Sequence, residues 1–203
     1  MPTYENFWIV TILRGVLAIL IGCAVLIVPD LARTLLFLPF AVAFVIISLA
    51  VYGVADSVLI FITSFFTSLH PVKAALRLQS ACGVVVGALF CSILFDRIQI
   101  HWFLYLIALQ AFSTAYSEFI LARHTSRQHG SRWCFVAAAI ALLCGTIYAA
   151  AAVLAPGNLP PHQIAALAYG YLAAFGVAQT LMATRMLYIE RHAGQMAPGK
   201  AGS

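Results

Sequence analysis

The sequence predicts an all-α integral membrane protein, a six-transmembrane-helix bundle built from three helical hairpin repeats. Three observations lead there. Of 203 residues, 64% are hydrophobic and only 8% charged, where soluble domains carry roughly 45–50% and about 25%. A chain with so few charges could not cover its own surface in water, so lipid must be its main solvent. Six apolar runs also reach the ~20 residues needed to cross a bilayer core of roughly 30 Å. Finally, small and polar residues recur at matching places along these runs.

The first run extends from Phe7 to Val28 and ends at Pro29-Asp30. Apolar sequence starts there with no basic segment before it, and Arg14 lies inside the run, so no secretory signal peptide is expected. The second run extends from Leu35 to Phe66, with Pro39 near its start, where a missing backbone N–H is tolerated. The third starts near Ala74, after His70-Pro71, and ends by Phe95. The fourth covers Trp102 to Ala122, and the polar segment Arg123 to Arg132 separates it from the fifth, Trp133 to Ala155. Pro156-Gly157 and Pro160-Pro161 precede the sixth, His162 to Leu187. One membrane domain over residues 1–191 is expected, with hairpins at about 7–66, 74–122 and 133–187, and a disordered tail over 192–203.

The net charge of +5 is spread over short loops and tails without a basic face or a nucleic-acid-binding motif, so no nucleic acid is expected as a partner. Its distribution sets orientation instead. The connections on the N-terminal side carry Lys73, Arg77, Arg123, Arg127, Arg132, Arg185, Arg191 and Lys200, and the opposite side carries Arg33 and Arg97. Eight against two places both termini in the cytoplasm. Tyr4, Trp8, Trp102, Tyr105, Trp133 and Tyr188 stand at run ends, where interfacial aromatic belts form.

The five cysteines form no CxxC pair and lie in or beside apolar runs, which suits helix packing rather than metal binding or disulfides. All six histidines fall in loops or at helix ends, whereas a metal or haem site in a bundle core needs His on facing helices. No HExxH, P-loop or GxSxG pattern occurs. No cofactor, metal or catalytic activity is therefore expected.

The repeat shows in two registers. In the odd runs, small residues recur seven apart: Gly15 and Gly22, Ser80 and Gly87, Ala138 and Gly145. Seven residues make two helical turns with little drift, so each pair marks a face where another backbone can come close. In the even runs a small residue precedes a polar one by three: Gly53 and Asp56, Ala115 and Glu118, Gly176 and Gln179. The polar positions are 62 and 61 residues apart.

Arg14, Asp56 and Glu118 are the charges placed inside the membrane, where an unpaired one costs at least ~2.5–3.5 kcal/mol. Arg14 lies about 7 residues, or roughly 10 Å, from the cytoplasmic end of its run, and Asp56 about 8–10 residues, or roughly 12–15 Å. The two can meet. Glu118 lies about 5 residues in and could snorkel to the interface. Arg14 and Asp56 make either a structural ion pair that docks the hairpins or, with Glu118 and Gln179, a polar line that senses or carries protons.

The stretch FWIVTILRGVLAILIGCAVLIVP, followed by YGVADSVL, resembles the HdeD-like acid-resistance membrane proteins. The likeness rests on Arg14, Gly15, Gly22, Pro29, Gly53 and Asp56 and extends in looser form to about Arg191. The second hairpin departs from it, reading Gln79-Ser80 where Arg-Gly is expected. The resemblance implies a bacterial inner-membrane location and a link to acid stress, with no settled biochemical activity. The first reading is accordingly a non-enzymatic role in acid or envelope stress, acting on the bilayer, as a homo-oligomer, or through a membrane-protein partner. The other reading is a small transporter or proton-conducting channel lined by the intramembrane carboxylates.

Overall fold

The computed structural model describes residues 7–35, 38–95, 102–124, 131–154 and 161–193. They form six helices: α1 Phe7–Leu35, α2 Leu38–Thr63, α3 His70–Leu94, α4 Trp102–His124, α5 Ser131–Leu154 and α6 Pro161–Ala193. No strand occurs among them. The expected disordered tail lies outside the described residues from 194 onward, and residues 192 and 193 belong to α6.

Several helix ends differ from the sequence expectation: α2 spans Leu38–Thr63 rather than Leu35–Phe66, and α6 runs on to Ala193 rather than Leu187. α1 does not stop at Pro29-Asp30 but continues to Leu35, because one missing backbone N–H does not end a helix whose neighbours hold it. α3 begins at His70 rather than Ala74, with Pro71 in its first turn. The N–H that proline lacks has no intrahelical partner there anyway.

Among the described residues, five stretches are long and apolar enough to cross a membrane: Trp8–Ile27, Ala43–Thr63, His70–Ile93, Trp102–His124 and Ser131–Leu154. α6 is the least apolar of the six helices, since Gln179, Thr180, Thr184 and Arg185 fall on it. It nevertheless lies antiparallel to α1 over the same depth. Gly15 faces Gly176 and Thr180, while Gly22 faces Leu172 and Ala173.

The helices close into a ring in chain order, with α6 returning to pack on α1. The most extensive contacts fall between the expected hairpins rather than within them: α1 on α6, α2 on α3 and α4 on α5. The reason is the small-residue register. Gly15 meets Thr180, Ser80 donates to the carbonyl of Ser57 at 2.8 Å, and each partner is the residue just after Gln179 or Asp56. Seven residues on, Gly22 meets Ala173, Gly87 meets Ala50, and Gly145 meets Phe112. Each of these partners lies three residues before Gly176, Gly53 or Ala115, so the three docking interfaces share one register. Gly83, between Ser80 and Gly87, adds a close approach to the carbonyl of Gly53. Without a hydrophobic drive between helices in lipid, such close backbone packing is what holds them together.

The outside of the ring is apolar. Leu13, Leu20, Ile27, Val51, Phe65, Leu78, Leu143 and Val153 are exposed, while Arg14, Asp56, Gln79, Glu118 and Gln179 are buried. Large aliphatic side chains outside and polar ones inside invert the soluble pattern and suit a lipid solvent.

Candidate functional site

Packing on the small faces turns the residue before each one, and the polar residue of each even helix, toward the ring interior. Arg14, Gln79 and Ala137 are all buried, as are Asp56, Glu118 and Gln179. Each of the three hairpins thus contributes one pair, and the pairs differ in charge: Arg14 with Asp56, Gln79 with Glu118, Ala137 with Gln179.

Arg14 is the hub. Its Nε donates to Asp56 Oδ1 at 2.7 Å and its Nη2 to Oδ2 at 3.4 Å. This fork-to-fork geometry satisfies both carboxylate oxygens with one planar group. Arg14 Nη1 reaches across the ring to Glu118 Oε1 at 3.2 Å. Gln179 Nε2 donates to that same oxygen at 2.7 Å. The Arg14 guanidinium also lies 5.7 Å from the centroid of the Phe175 ring, within cation–π range. One network therefore ties α1, α2, α4 and α6.

Glu118 does not snorkel. It is 2% exposed, because Arg14 and Gln179 draw its carboxylate inward, where the sequence reading allowed it to reach the interface. α4 also runs to His124, which sets Glu118 deeper than the apolar run implied.

Gln79, at the position of the resemblance's missing arginine, takes a different set of partners. Its Nε2 donates to Thr114 Oγ1 at 3.0 Å, and the Ser117 hydroxyl donates to its Oε1. This joins α3 to α4 beside the ion cluster. Thr114 and Ser117 were not singled out in the sequence, nor was Tyr52. A signal existed. Tyr52 and Thr114 stand four residues before Asp56 and Glu118, one turn along the same face.

On the side of the cluster away from the N-terminus lies a cavity of about 30 Å³, lined by Tyr52, Gly53, Gln110, Tyr148 and Tyr171 among others. Gln110 Oε1 and the Tyr148 hydroxyl are buried and find no partner in the protein. Its walls are mostly apolar side chains, Leu49, Val86, Phe90, Ile107 and Leu172 among them.

The helix-packing residues named from the sequence stand at helix contacts: Gly15, Gly22, Gly53, Ser80, Gly87, Gly145 and Gly176 all face another helix of the same chain. These small faces are thus used within the chain. The five cysteines are free, and Cys134 is buried with its Sγ 3.0 Å from Met182 Sδ. Among the described residues no group of three or more His, Cys, Asp or Glu side chains could hold a metal ion.

No family model matches the chain, and neither does any curated protein or any solved structure. What fold and site define is a class: an all-α, multi-pass membrane protein with an ion cluster buried at the centre of its helix ring.

Proposed function

We propose that the chain is an HdeD-like protein of the bacterial inner membrane, with both termini in the cytoplasm and a non-enzymatic role in acid or envelope stress. The observation that carries this reading is the network from Asp56 through Arg14 and Glu118 to Gln179, which spans all three hairpins. Two of its four members are carboxylates, so proton concentration acts on the groups that hold the hairpins together. The residues behind the HdeD-like resemblance fit this picture. Arg14 and Asp56 form the ion pair, and Gly15, Gly22 and Gly53 stand at helix contacts. The eight-to-two bias of Lys and Arg supports the orientation. The experiment is survival at low external pH of a strain lacking the gene, with and without the wild-type chain. Restored survival supports the reading, and equal survival of both strains sinks it.

A second reading, a small transporter or proton-conducting channel, is favoured by the cavity beside the cluster, whose Gln110 and Tyr148 oxygens lack protein partners. Proton flux into liposomes across an imposed pH gradient separates the two. Flux above empty liposomes that falls in a folded Asp56→Asn variant selects conduction, and absent flux selects a structural role for the network.

A further inference from the structure

We infer that Glu118 binds a proton on Oε2 and holds it against the amide oxygen of Gln179, forming a neutral acid–amide pair between α4 and α6. This deepens the proton-linked part of the proposed function by naming the atom that takes the proton.

Three observations converge on that atom. Glu118 Oε1 receives both available donors, Arg14 Nη1 at 3.2 Å and Gln179 Nε2 at 2.7 Å. Glu118 Oε2 and Gln179 Oε1 are both buried and have no hydrogen-bond partner. They belong to two side chains already joined by one hydrogen bond, and both are acceptors unless one carries a hydrogen. A proton on Oε2 closes the second half of a cyclic pair, with N–H to Oε1 in one direction and O–H to the amide oxygen in the other.

Charge leads to the same place. Arg14 supplies one positive charge to two buried carboxylates, which leaves one negative charge over in a low-dielectric interior where that is expensive. Asp56 has both oxygens engaged by the Arg14 fork, so Glu118 is the carboxylate with an oxygen to spare. The groups that act on Glu118 from the other elements are Arg14 of α1, Asp56 and Tyr52 of α2, Cys134 of α5 and Gln179 of α6. Gln79 of α3 reaches α4 through Thr114 and Ser117. Among these Arg14 is the one cation, and it is already shared. A water molecule would satisfy the two oxygens but not the charge. A hard metal ion would want about six oxygen ligands where two are on offer.

The test is infrared spectroscopy of the full chain reconstituted in lipid vesicles at neutral pH. The expected result is a carboxylic-acid carbonyl band that shifts in deuterium oxide and is lost in Glu118→Gln. That variant keeps the wild-type thermal midpoint, since two amides can pair as acid and amide do. In Gln179→Leu the acid remains but loses its acceptor, so the band moves to higher frequency. Absence of the band in the wild type, its persistence in Glu118→Gln, or an unmoved band in Gln179→Leu each overturns the proposal. Should Glu118→Gln fail to fold, Gln179→Leu still decides. The band is read without acid challenge or pH gradient, so a missing stress phenotype or a missing flux leaves this result standing on its own.

Discussion

Gly15 and Gly176 protect one another. A Cβ on Gly15 would stand 2.9 Å from the carbonyl oxygen of Gly176, and a Cβ on Gly176 would stand 2.7 Å from that of Gly15. Both obstacles are backbone, which cannot swing aside. The contact closes the ring by joining the first helix to the last, and the Thr180 hydroxyl donates at 2.8 Å to that same Gly176 carbonyl. Gly15→Ala and Gly176→Ala should each destabilise the chain by about 1–3 kcal/mol, the usual range for overpacking. Gly170→Ala is the control, since nothing lies within 4 Å of its would-be Cβ, and it should leave stability unchanged or slightly raised. Thermal unfolding in detergent reads all three. Equal midpoints for Gly15→Ala and Gly170→Ala would show that the α1–α6 approach is not as close as described.

The ion pair makes a different kind of prediction. Arg14→Leu strips Asp56 of both its arginine donors and leaves a charge buried without a partner, at a cost of about 3–5 kcal/mol. At this chain length that corresponds to a fall in midpoint on the order of 10 °C. Replacing both residues, Arg14→Leu with Asp56→Leu, removes the uncompensated charge along with the pair and should recover most of the loss. The coupling is read from a double-mutant cycle. Additive losses would mean that the two residues contribute separately.

The architecture was open to sequence reasoning where physics acts locally. Apolar runs reveal helices because each must bury about 20 residues in lipid regardless of its neighbours, and depth arithmetic brings Arg14 to Asp56 because both lie on one hairpin. Ring closure is not local. The seven-residue spacing of Gly15 and Gly22 marks a face for close packing, but nothing along the chain says that α6, more than 150 residues away, fills it. Reading hairpins as the packing units also hid that the most extensive interfaces lie between them. The depth of Glu118 was left open for a related reason. Its distance from the end of the run suggested the interface, whereas its partners Arg14 and Gln179 come from two other helices. Gln79 was noticed as a departure from Arg, but its role with Thr114 and Ser117 depends on a neighbour that only packing identifies.

The cavity beside the cluster sets a test for Tyr148. Its ring is 1% exposed and meets Tyr171 edge-on at 6.4 Å between centroids, while its hydroxyl has no protein partner. Removing the hydroxyl and removing the ring should therefore differ sharply. Tyr148→Phe is expected to change stability by less than about 1 kcal/mol, since no protein hydrogen bond is lost. Tyr148→Ala should cost about 3–5 kcal/mol through the space it leaves. Thermal midpoints measured side by side distinguish these. A Phe variant as damaged as the Ala variant would mean that the hydroxyl is held by a strong partner in the cavity.

Orientation is testable without any assumption about activity. The ring alternates direction helix by helix: Ser131 at the start of α5 meets the Ala122 carbonyl near the end of α4, and Cys134 and Tyr148 of α5 meet Met182 and Tyr171 of α6 in reverse order. The connection between α4 and α5 and that between α5 and α6 must then lie on opposite sides of the bilayer. The proposed orientation, drawn from the bias of Lys and Arg, puts the first of these in the cytoplasm. In a chain whose five cysteines are replaced by Ala or Ser, a single Cys at His129 should react with a membrane-impermeant maleimide only after the cells are opened. A single Cys at Asn158 should react in intact spheroplasts. The reverse pattern would invert the topology and place the Arg14 cluster nearer the outer face. Labelling of both positions from one side would contradict the alternation itself, and with it the ring.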